Sequence, residues 1–218
     1  MIPSRAWNWD TVKDDAWSIP SEDVYYYLER WSKLGYKRLL DLGCGLGRHS
    51  IFFAKNGFAV DAFDLSVNGL EKLKEQTRQQ KLNIHIKLGD MLVLPYDDGS
   101  FDCILAYHSI YHTDSSGIER VLSEIKRVLT KDGEAFLTFN SKSNPSFIQN
   151  SPGRIDENTV LKTEGYEMDI PHYYADADEL KALLKDFQII KMRQIEDIDE
   201  TKSHWHYFVT IKKSTMDE

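Results

Sequence analysis

Short apolar runs alternate with longer amphipathic segments between residues 38 and 139 of this 218-residue chain. The short runs predict strands and the longer segments predict helices. In chain order they are strand 38–42, helix 47–56, strand 58–63, helix 67–80, strand 84–88, strand 101–107, helix 115–130 and strand 133–139. Strands that alternate with helices in this way pair in parallel, and the connecting helices cover both faces of the sheet. We therefore predict an α/β, doubly wound and mostly parallel sheet.

The last third of the chain predicts a different ending for this sheet. A long loop at 140–174 and a helix at 176–186 precede two strands, one at 187–196 and one at the run "HWHYFVTI", residues 204–211. No helix lies between these two strands, and a helix-free connection favours an antiparallel pair. The sheet should therefore have seven strands, of which the last is antiparallel.

The segment 1–37 is rich in aromatic residues and holds four of the five tryptophans. The run "VYYYLERW", preceded by Pro20, Ser21 and Glu22, predicts a helix at about 21–34, and we interpret the segment as an N-terminal helical cap. Two interpretations stay open. The helix packs permanently on the sheet, or the segment is a lid that closes over a ligand and excludes water.

Composition limits the class of partner and the compartment. The formal net charge is −8 and no basic run is present, whereas nucleic-acid binding requires concentrated positive charge. Only Cys44 and Cys103 occur, which fits a reducing compartment, and no apolar stretch approaches the roughly twenty residues of a membrane span. We expect a cytoplasmic monomer or homodimer with a small-molecule substrate and with no nucleic-acid or membrane partner.

Acidic residues follow three of the predicted strands, where open α/β sheets bind their ligands. Asp41, Asp64 and Asp90 come after the first, second and third strands. Asp64 is placed to accept hydrogen bonds from ribose hydroxyls, and Asp90 to accept one from a purine amine beside Met91. The alternative role for Asp64 is a helix cap, for which Ser66 is better positioned. Together the acids predict an adenosine pocket.

The turn after the first strand, within "LLDLGCGLGRHS", carries three glycines at every second position. This G-x-G-x-G spacing differs from the G-x-G-x-x-G of dinucleotide-binding turns. A tight turn with positive φ explains one glycine easily and three with difficulty, so we predict that the backbone approaches a ligand. Arg48 begins the next helix and pairs with a carboxylate of cofactor or substrate, or else it is exposed to solvent.

Four motifs carry a family resemblance: "LLDLGCGLGRHS", "VDAFDLS", "LGDMLVLPYDDGSFDCILAYHSIYH" and "EIKRVLTKDGEAFLTF". In order and spacing they resemble the motifs of class I S-adenosylmethionine-dependent methyltransferases, over about residues 38–140. The nearest resemblance is to small-molecule members whose first motif reads G-C-G-x-G-R-H, related to the tellurite-resistance methyltransferases. It implies the Rossmann-like methyltransferase fold, with S-adenosylmethionine as cofactor and S-adenosylhomocysteine as product.

The resemblance also implies a domain plan and site roles. A single methyltransferase domain covers 1–218, with a cap at 1–37, a cofactor-binding core at 38–140 and a substrate side at 141–218. The implied cofactor-binding residues are Asp41, Gly43, Gly45, Gly47, Asp64, Leu65, Asp90, Met91 and Tyr107. Asp41 and the glycine backbone would hold the methionine part, Asp64 the ribose, and Asp90 with Met91 the adenine. Tyr107 would lie near the sulfonium.

Methyl transfer from a sulfonium is an in-line displacement, so positioning matters more than covalent chemistry by the protein. His108 directly follows the fourth strand and is the candidate catalytic base if the acceptor must lose a proton; a structural, hydrogen-bonded histidine is the alternative. The acceptor atom stays open among O, N, S and C. The run "NPSF" resembles an amino-group methyltransferase signature but follows the fifth strand, so we predict a turn there.

Five histidines raise a metal hypothesis: His108, His112, His172, His204 and His206. A shared metal would require the late loop and the last strand to converge, and no carboxylate completes an evident ligand spacing. The sequence therefore predicts no metal site and places some of these histidines in the substrate pocket.

Two rival functions stay open at this point. One is a nicotinamide-dependent oxidoreductase on a similar fold, and the other is an S-adenosylmethionine-binding module without catalysis.

Overall fold

The computed structural model describes residues 2–12, 15–163, 167–198 and 203–214. Its strands are β1 (Arg38–Leu42), β2 (Ala59–Asp64), β3 (Ile84–Leu88), β4 (Phe101–Ala106), β5 (Leu129–Ser141), β6 (Thr159–Leu161), β7 (Pro171–Ala175), β8 (Phe187–Ile198) and β9 (Ser203–Lys213). Its α-helices are α1 (Glu22–Lys33), α2 (Arg48–Lys55), α3 (Val67–Gln80), α4 (Ser115–Val128), α5 (Pro145–Gln149) and α6 (Ala177–Leu183). Two 3₁₀ helices lie at Asp15–Ser18 and Ser151–Gly153.

The seven predicted strands form one continuous path, β3-β2-β1-β4-β5-β9-β8. The pairs from β3 to β5 are parallel, and β9 runs antiparallel to both of its neighbours. The prediction of a mostly parallel α/β sheet with an antiparallel last strand is therefore confirmed. Reversal of the strand order at β1 and β4 creates the crevice in which such sheets bind ligands.

Two strands were not predicted. β6 and β7 form an antiparallel pair inside the segment interpreted as a long loop, and β7 also pairs in parallel with the end of β5. This second pairing is possible because β5 is 13 residues long and continues past its final pair with β4, between Ala106 and Leu137. Asn140 and Ser141 therefore have an edge free for β7. The long-loop prediction is wrong for these residues.

Helices cover both faces of the sheet because neighbouring strand residues point to opposite sides. Leu40, Ile104 and Leu137 face a cluster that includes the buried sides of α4 and α6. Leu39 and Phe136 face the other side, where they pack with α1 and α2. Among the helices of the described residues, none combines the length and the apolar character needed to cross a membrane.

Helix α1 is packed on the sheet, as the first interpretation of the cap requires. Its Tyr27 and Trp31 are buried, and Tyr27 Oη lies 2.5 Å from Thr210 Oγ1 of β9. Arg30 donates two hydrogen bonds to the buried carboxylate of Glu134, at 2.8 and 2.7 Å, and Trp31 Nε1 donates a third at 3.2 Å. Leaving such a buried carboxylate unpaired typically costs about 3–5 kcal/mol, so α1 is held firmly. Residues 2–12, here called the N-terminal strap, take a different course across the carboxyl edge of the sheet.

Candidate functional site

A cavity of about 390 Å³ lies at the carboxyl edge of the parallel strands. Its volume falls in the range of about 300–1,000 Å³ that is usual for ligand pockets. Seven of the sequence-predicted site residues line it: Gly43, Asp64, Leu65, Asp90, Met91, Tyr107 and His108. The structure therefore gathers residues that are far apart in the chain around one space.

Asp64 stands at the end of β2 with its carboxylate held by the neighbouring backbone. Its Oδ2 accepts a hydrogen bond from the Gly45 N–H at 2.8 Å, and its Oδ1 accepts one from the Ser66 N–H at 2.7 Å. Burial raises the pKa of Asp64, and these N–H groups act in the opposite direction. Ser66 is the residue that caps α3, since its Oγ accepts from Gly69 N. The helix-cap alternative for Asp64 is therefore wrong.

Asp90 and Met91 lie in the loop after β3 and line the same cavity. Asp90 Oδ1 accepts a hydrogen bond from the Leu92 N–H at 3.0 Å, which orients the carboxylate. Gly89 lies against the ring of Phe63, and a Cβ at this glycine would collide with that ring. The loop can therefore approach the sheet closely enough to bring Asp90 to the cavity wall.

Asp41 lies beneath the cavity and is not one of its lining residues. Its Oδ2 accepts a hydrogen bond of 2.5 Å from Ser50 Oγ, and burial raises the pKa of Asp41 to about 6. Gly45 and Gly47 also lie off the lining surface. Direct contact between these three residues and the methionine part of a cofactor stays a prediction.

The three glycines of the turn have conformational and packing reasons of their own. Gly43, Gly45 and Gly47 have φ values of +76°, +55° and +77°, a region that side chains disfavour. A Cβ at these positions would collide, in order, with the side chains of Ser109, Trp9 and Leu73. The expectation that a tight turn explains three glycines only with difficulty is wrong, because all three adopt positive φ and all three are in close contact.

The N-terminal strap crosses the cavity and is attached on both sides. Trp7 and Trp9 line the cavity. On one side Ser66 Oγ, at the start of α3, donates to the Trp7 carbonyl oxygen at 2.7 Å. On the other side the Ile2 N–H donates to Asp114 Oδ2, at the start of α4, at 2.6 Å. The strap thus covers the crevice while α1 packs on the sheet beside it.

Substitution of Gly45 by alanine should destabilise the protein for two separable reasons. Positive φ costs an L-residue about 1–2 kcal/mol, and the new methyl group collides with Trp9. Gly57→Ala is the matched control, because Gly57 has a φ of +85° and open space around its Cβ position. Urea unfolding should show a larger loss for Gly45→Ala than for Gly57→Ala, with the excess removed in a Trp9→Ala background. An equal loss for both glycines would contradict the strap contact.

His108 lies just after β4 and lines the cavity. It has a φ of +51°, and its N–H donates to Thr138 Oγ1 at 2.6 Å. Its ring Nδ1 lies 3.2 Å from Tyr111 Oη. Burial lowers the pKa of His108 well below its ordinary value, and the nearby His206 and Arg48 lower it further. His108 is therefore neutral near pH 7 and has a lone pair able to accept a proton, although its basicity is weak.

Arg48 forms part of the cavity wall. Its guanidinium lies 4.9 Å from the ring centroid of Trp17 and 5.5 Å from that of Tyr107, and its Nη1 donates to the Ile19 carbonyl oxygen at 3.1 Å. The solvent-exposed alternative for Arg48 is therefore wrong. Stacking on two aromatic faces orients the cation toward the cavity.

All five histidines of the metal hypothesis line this one cavity. The late loop and the last strand do converge, since His172 comes from β7 and His206 from β9. Glu167 supplies a carboxylate, with its Oε1 3.3 Å from His172 Nε2. Burial alone would raise the pKa of Glu167, but His172, Lys162 and His112 together lower it to about 2. A carboxylate therefore lies beside these histidines, although no spacing in the sequence indicates it.

The segment "NPSF" begins a helix instead of a turn. Asn144 is the N-cap of the short helix α5, and its Oδ1 accepts from the Ser146 N–H at 3.1 Å. Both residues line the cavity, as do Lys162 and Tyr174, which the sequence did not single out. Tyr174 reaches the site because β7 pairs with the end of β5.

The sheet order and the position of the cavity define the Rossmann-like fold of class I S-adenosylmethionine-dependent methyltransferases. Residues 39–133 match the family model described as a methyltransferase domain. The resemblance seen in the sequence is confirmed at this level. The closer relation to tellurite-resistance methyltransferases stays a prediction.

Individual relatives agree with this assignment. The methyltransferase GfsG of Streptomyces halstedii is 33% identical over 142 residues, which are 59% of this chain and 50% of the relative. A methyltransferase structure from Methanosarcina mazei superposes with a TM-score of 0.74 at 20% identity, covering 89% of this chain and 98% of the other. The 1,6-didemethyltoxoflavin N1-methyltransferase of Burkholderia thailandensis, which holds its substrate and S-adenosylhomocysteine, gives 0.67 at 18% identity, covering 92% and 80%. The chain spans about half the length of the curated relatives that it matches.

Proposed function

We propose that this chain is an S-adenosylmethionine-dependent methyltransferase that acts on a small molecule. The observation that carries the proposal is the shared cavity wall formed by Asp64, Asp90 and Met91 at the carboxyl edge of the sheet. These residues match the hydrogen-bonding needs of an adenosine: hydroxyl donors at the ribose, an amine donor and an apolar face at the purine. The S-adenosylhomocysteine bound in the structurally similar 1,6-didemethyltoxoflavin N1-methyltransferase supports the same assignment.

A positive charge in the cavity wall supports the fit of the cofactor, whose amino-acid part carries a carboxylate. Arg48, already oriented by Trp17 and Tyr107, offers a cation to the cofactor carboxylate.

Different residues of the chain have different roles in the proposed reaction. Bound S-adenosylmethionine would supply an electrophilic methyl group on its sulfonium. Asp64 and Asp90 fix the adenosine, and Tyr107 covers the space beside it. The strap excludes water, which strengthens the interactions inside the cavity. His108, neutral near pH 7, accepts the acceptor's proton when the acceptor carries one.

A small acceptor is supported by the size of the cavity, about 390 Å³. The strap crosses this cavity between α3 and α4, and β7 contributes to its wall. The net charge of −8 disfavours nucleic acid. The related toxoflavin-precursor enzyme also holds a small molecule. We extend the proposal to a cytoplasmic monomer or homodimer, consistent with two buried, unpaired cysteines.

Calorimetry tests the function directly. We expect S-adenosylmethionine and S-adenosylhomocysteine to bind with 1:1 stoichiometry and NADH to give no heat of binding. Incubation with S-adenosylmethionine and fractionated metabolites should then release S-adenosylhomocysteine with at least one fraction. Binding of NADH alone would favour the oxidoreductase, and tight cofactor binding without turnover on any fraction would favour the non-catalytic module.

A further inference from the structure

Two potential metal-ligand atoms face each other in the cavity. His172 Nδ1 lies 3.0 Å from the Ile170 carbonyl oxygen, which can only accept, so Nδ1 carries a hydrogen. The other ring nitrogen, Nε2, lies 3.3 Å from Glu167 Oε1. An ionised carboxylate only accepts hydrogen bonds, so this contact requires either a proton on Nε2 or a metal ion between the two atoms.

His112 completes a set of three ligands. Its ring centroid lies 4.8 Å from that of His172, nearly perpendicular to it at 82°. The available ligand atoms of His112, Glu167 and His172 all lie within 4.8 Å of one another. All three residues line the cavity in which a ligand would sit.

The spacing suits a transition metal. Ligand atoms at about 2.0–2.1 Å from a tetrahedral Zn²⁺ lie about 3.3–3.4 Å apart. The His172–Glu167 separation of 3.3 Å already has this value, and a movement of about 1.5 Å at most closes the set. Two histidines and one glutamate leave a fourth coordination position open, as in zinc sites that bind a water or a substrate.

The surroundings of the three residues resemble an outer ligand shell. The Ile170 carbonyl fixes the tautomer of His172, and His112 hydrogen-bonds with the backbone of Ser109. Metal-binding histidines usually donate their second nitrogen in this way. Lys162 Nζ lies 3.7 Å from Glu167 Oε2, which leaves Oε1 for a metal. The lysine charge also opposes a bound cation, so it should reduce the affinity of the site.

We propose that His112, Glu167 and His172 bind one divalent transition-metal ion, with Zn²⁺ as the probe ion. The open coordination position faces the cavity, where an oxygen, nitrogen or sulfur atom of the methyl acceptor would bind and be held for attack. That last consequence rests on the proposed function, whereas metal binding itself does not.

Titration of the untagged, EDTA-treated chain with Zn²⁺ tests the site without any cofactor. We expect one Zn²⁺ per chain by calorimetry, and Co²⁺ should give the intense visible absorption of a four-coordinate ion. His172→Ala and Glu167→Gln should each raise the Kd by more than about 100-fold, since removal of an outer-shell partner alone costs 10–100-fold. His85→Ala is the matched control, because His85 is an exposed histidine of β3 paired with Asp61 outside the cavity.

The Lys162→Met variant distinguishes a metal site from a simple ion pair between His172 and Glu167. Removal of the ammonium should lower the Kd for Zn²⁺, because a repulsive charge next to Glu167 is lost.

The proposal is overturned if the wild-type chain binds no stoichiometric Zn²⁺, or if the ligand variants bind it as well as the His85 variant does. It is also overturned if nitrogen NMR finds His172 protonated at both ring nitrogens in the presence of equimolar Zn²⁺. Thermal melting of each variant checks folding, and S-adenosylhomocysteine binding by the metal-free chain tests the proposed function separately.

Discussion

Replacement of Asp64 by alanine should weaken the binding of S-adenosylhomocysteine by at least about 100-fold. A hydrogen bond to a charged acceptor contributes about 1.5–3 kcal/mol, and the carboxylate of Asp64 is placed to accept from two ribose hydroxyls. Each 1.4 kcal/mol corresponds to a factor of ten in affinity. Calorimetric titration of wild type and variant at the same pH and salt measures the difference.

Two further variants make this result specific to the carboxylate. Asp64→Asn keeps one oxygen that accepts from Gly45 or from a hydroxyl, so its loss of affinity should be intermediate. Asp61→Ala removes an acid from the same strand whose partner is the exposed His85, and its affinity should match wild type. A wild-type Kd for a folded Asp64→Ala variant would refute the adenosine pocket and, with it, the proposed function.

The positions of the strand ends could be predicted because local patterns encode them. Buried parallel strands are short apolar runs, and the residue after each run leaves the sheet at the carboxyl edge. Asp64 and Asp90 were placed in this way, and both line the cavity. Asp41 lies one layer deeper, because it is still inside β1, where it is buried and accepts a hydrogen bond from Ser50 of α2. A one-dimensional pattern does not distinguish the lining of a site from the layer beneath it.

The acceptor half of the site depends on contacts between distant residues. β6 has only three residues, too few for an apolar alternation to be recognised. β7 is placed by its pairing with the last residues of β5, and this pairing brings His172 and the neighbouring Glu167 to His112. Those partners are separated by more than fifty positions in the chain. Nothing in the local sequence around Glu167 indicates that it would meet a histidine.

The glycine turn was recognised from the sequence, but the explanation proposed for its three glycines was incomplete. From the sequence, we predicted that the glycines let a ligand approach the backbone. In the structure each glycine also adopts positive φ and lies too close to one neighbouring side chain for a Cβ atom. Trp9 is the neighbour of Gly45, and it belongs to the strap rather than to the sheet. The turn therefore connects the strap, which crosses the cavity, to the sheet beneath it. This contact joins residues that are distant in the sequence, so local patterns do not predict it.

Acidification from pH 7 to pH 5 should sharply lower the free energy of unfolding. Four histidines are wholly or partly buried, and this burial lowers the pKa of His49 and His112 to about 3, of His206 to about 4, and of His108 well below its usual value. In the unfolded chain each titrates near 6.5. Below that pH the unfolded state binds more protons than the folded state, so each histidine removes up to about 1.4 kcal/mol of stability per pH unit.

Asp41 acts in the opposite direction. Burial raises its pKa to about 6, so the folded state binds its proton before the unfolded state does, and between pH 6 and 3.8 this offsets one of the four histidines. The stability from the neutral histidines is complete above about pH 6.5 and is lost progressively as the pH falls toward the folded values. Urea unfolding at pH 7, 6 and 5, with EDTA present to exclude metal binding, measures the slope.

A single substitution shows whether the buried histidines cause this slope. His206→Asn removes one of them, and its Nδ1 has no hydrogen-bond partner in the part of the chain that the structure describes. The variant should lose stability less steeply with acid than wild type, whatever its absolute stability at pH 7. His85→Asn changes a ring that is 70% exposed and should keep the wild-type slope. Stability that stays level from pH 7 to 5, or a His206 variant with an unchanged slope, would show that these rings are not held neutral, and would remove the argument that His108 has a free lone pair at neutral pH.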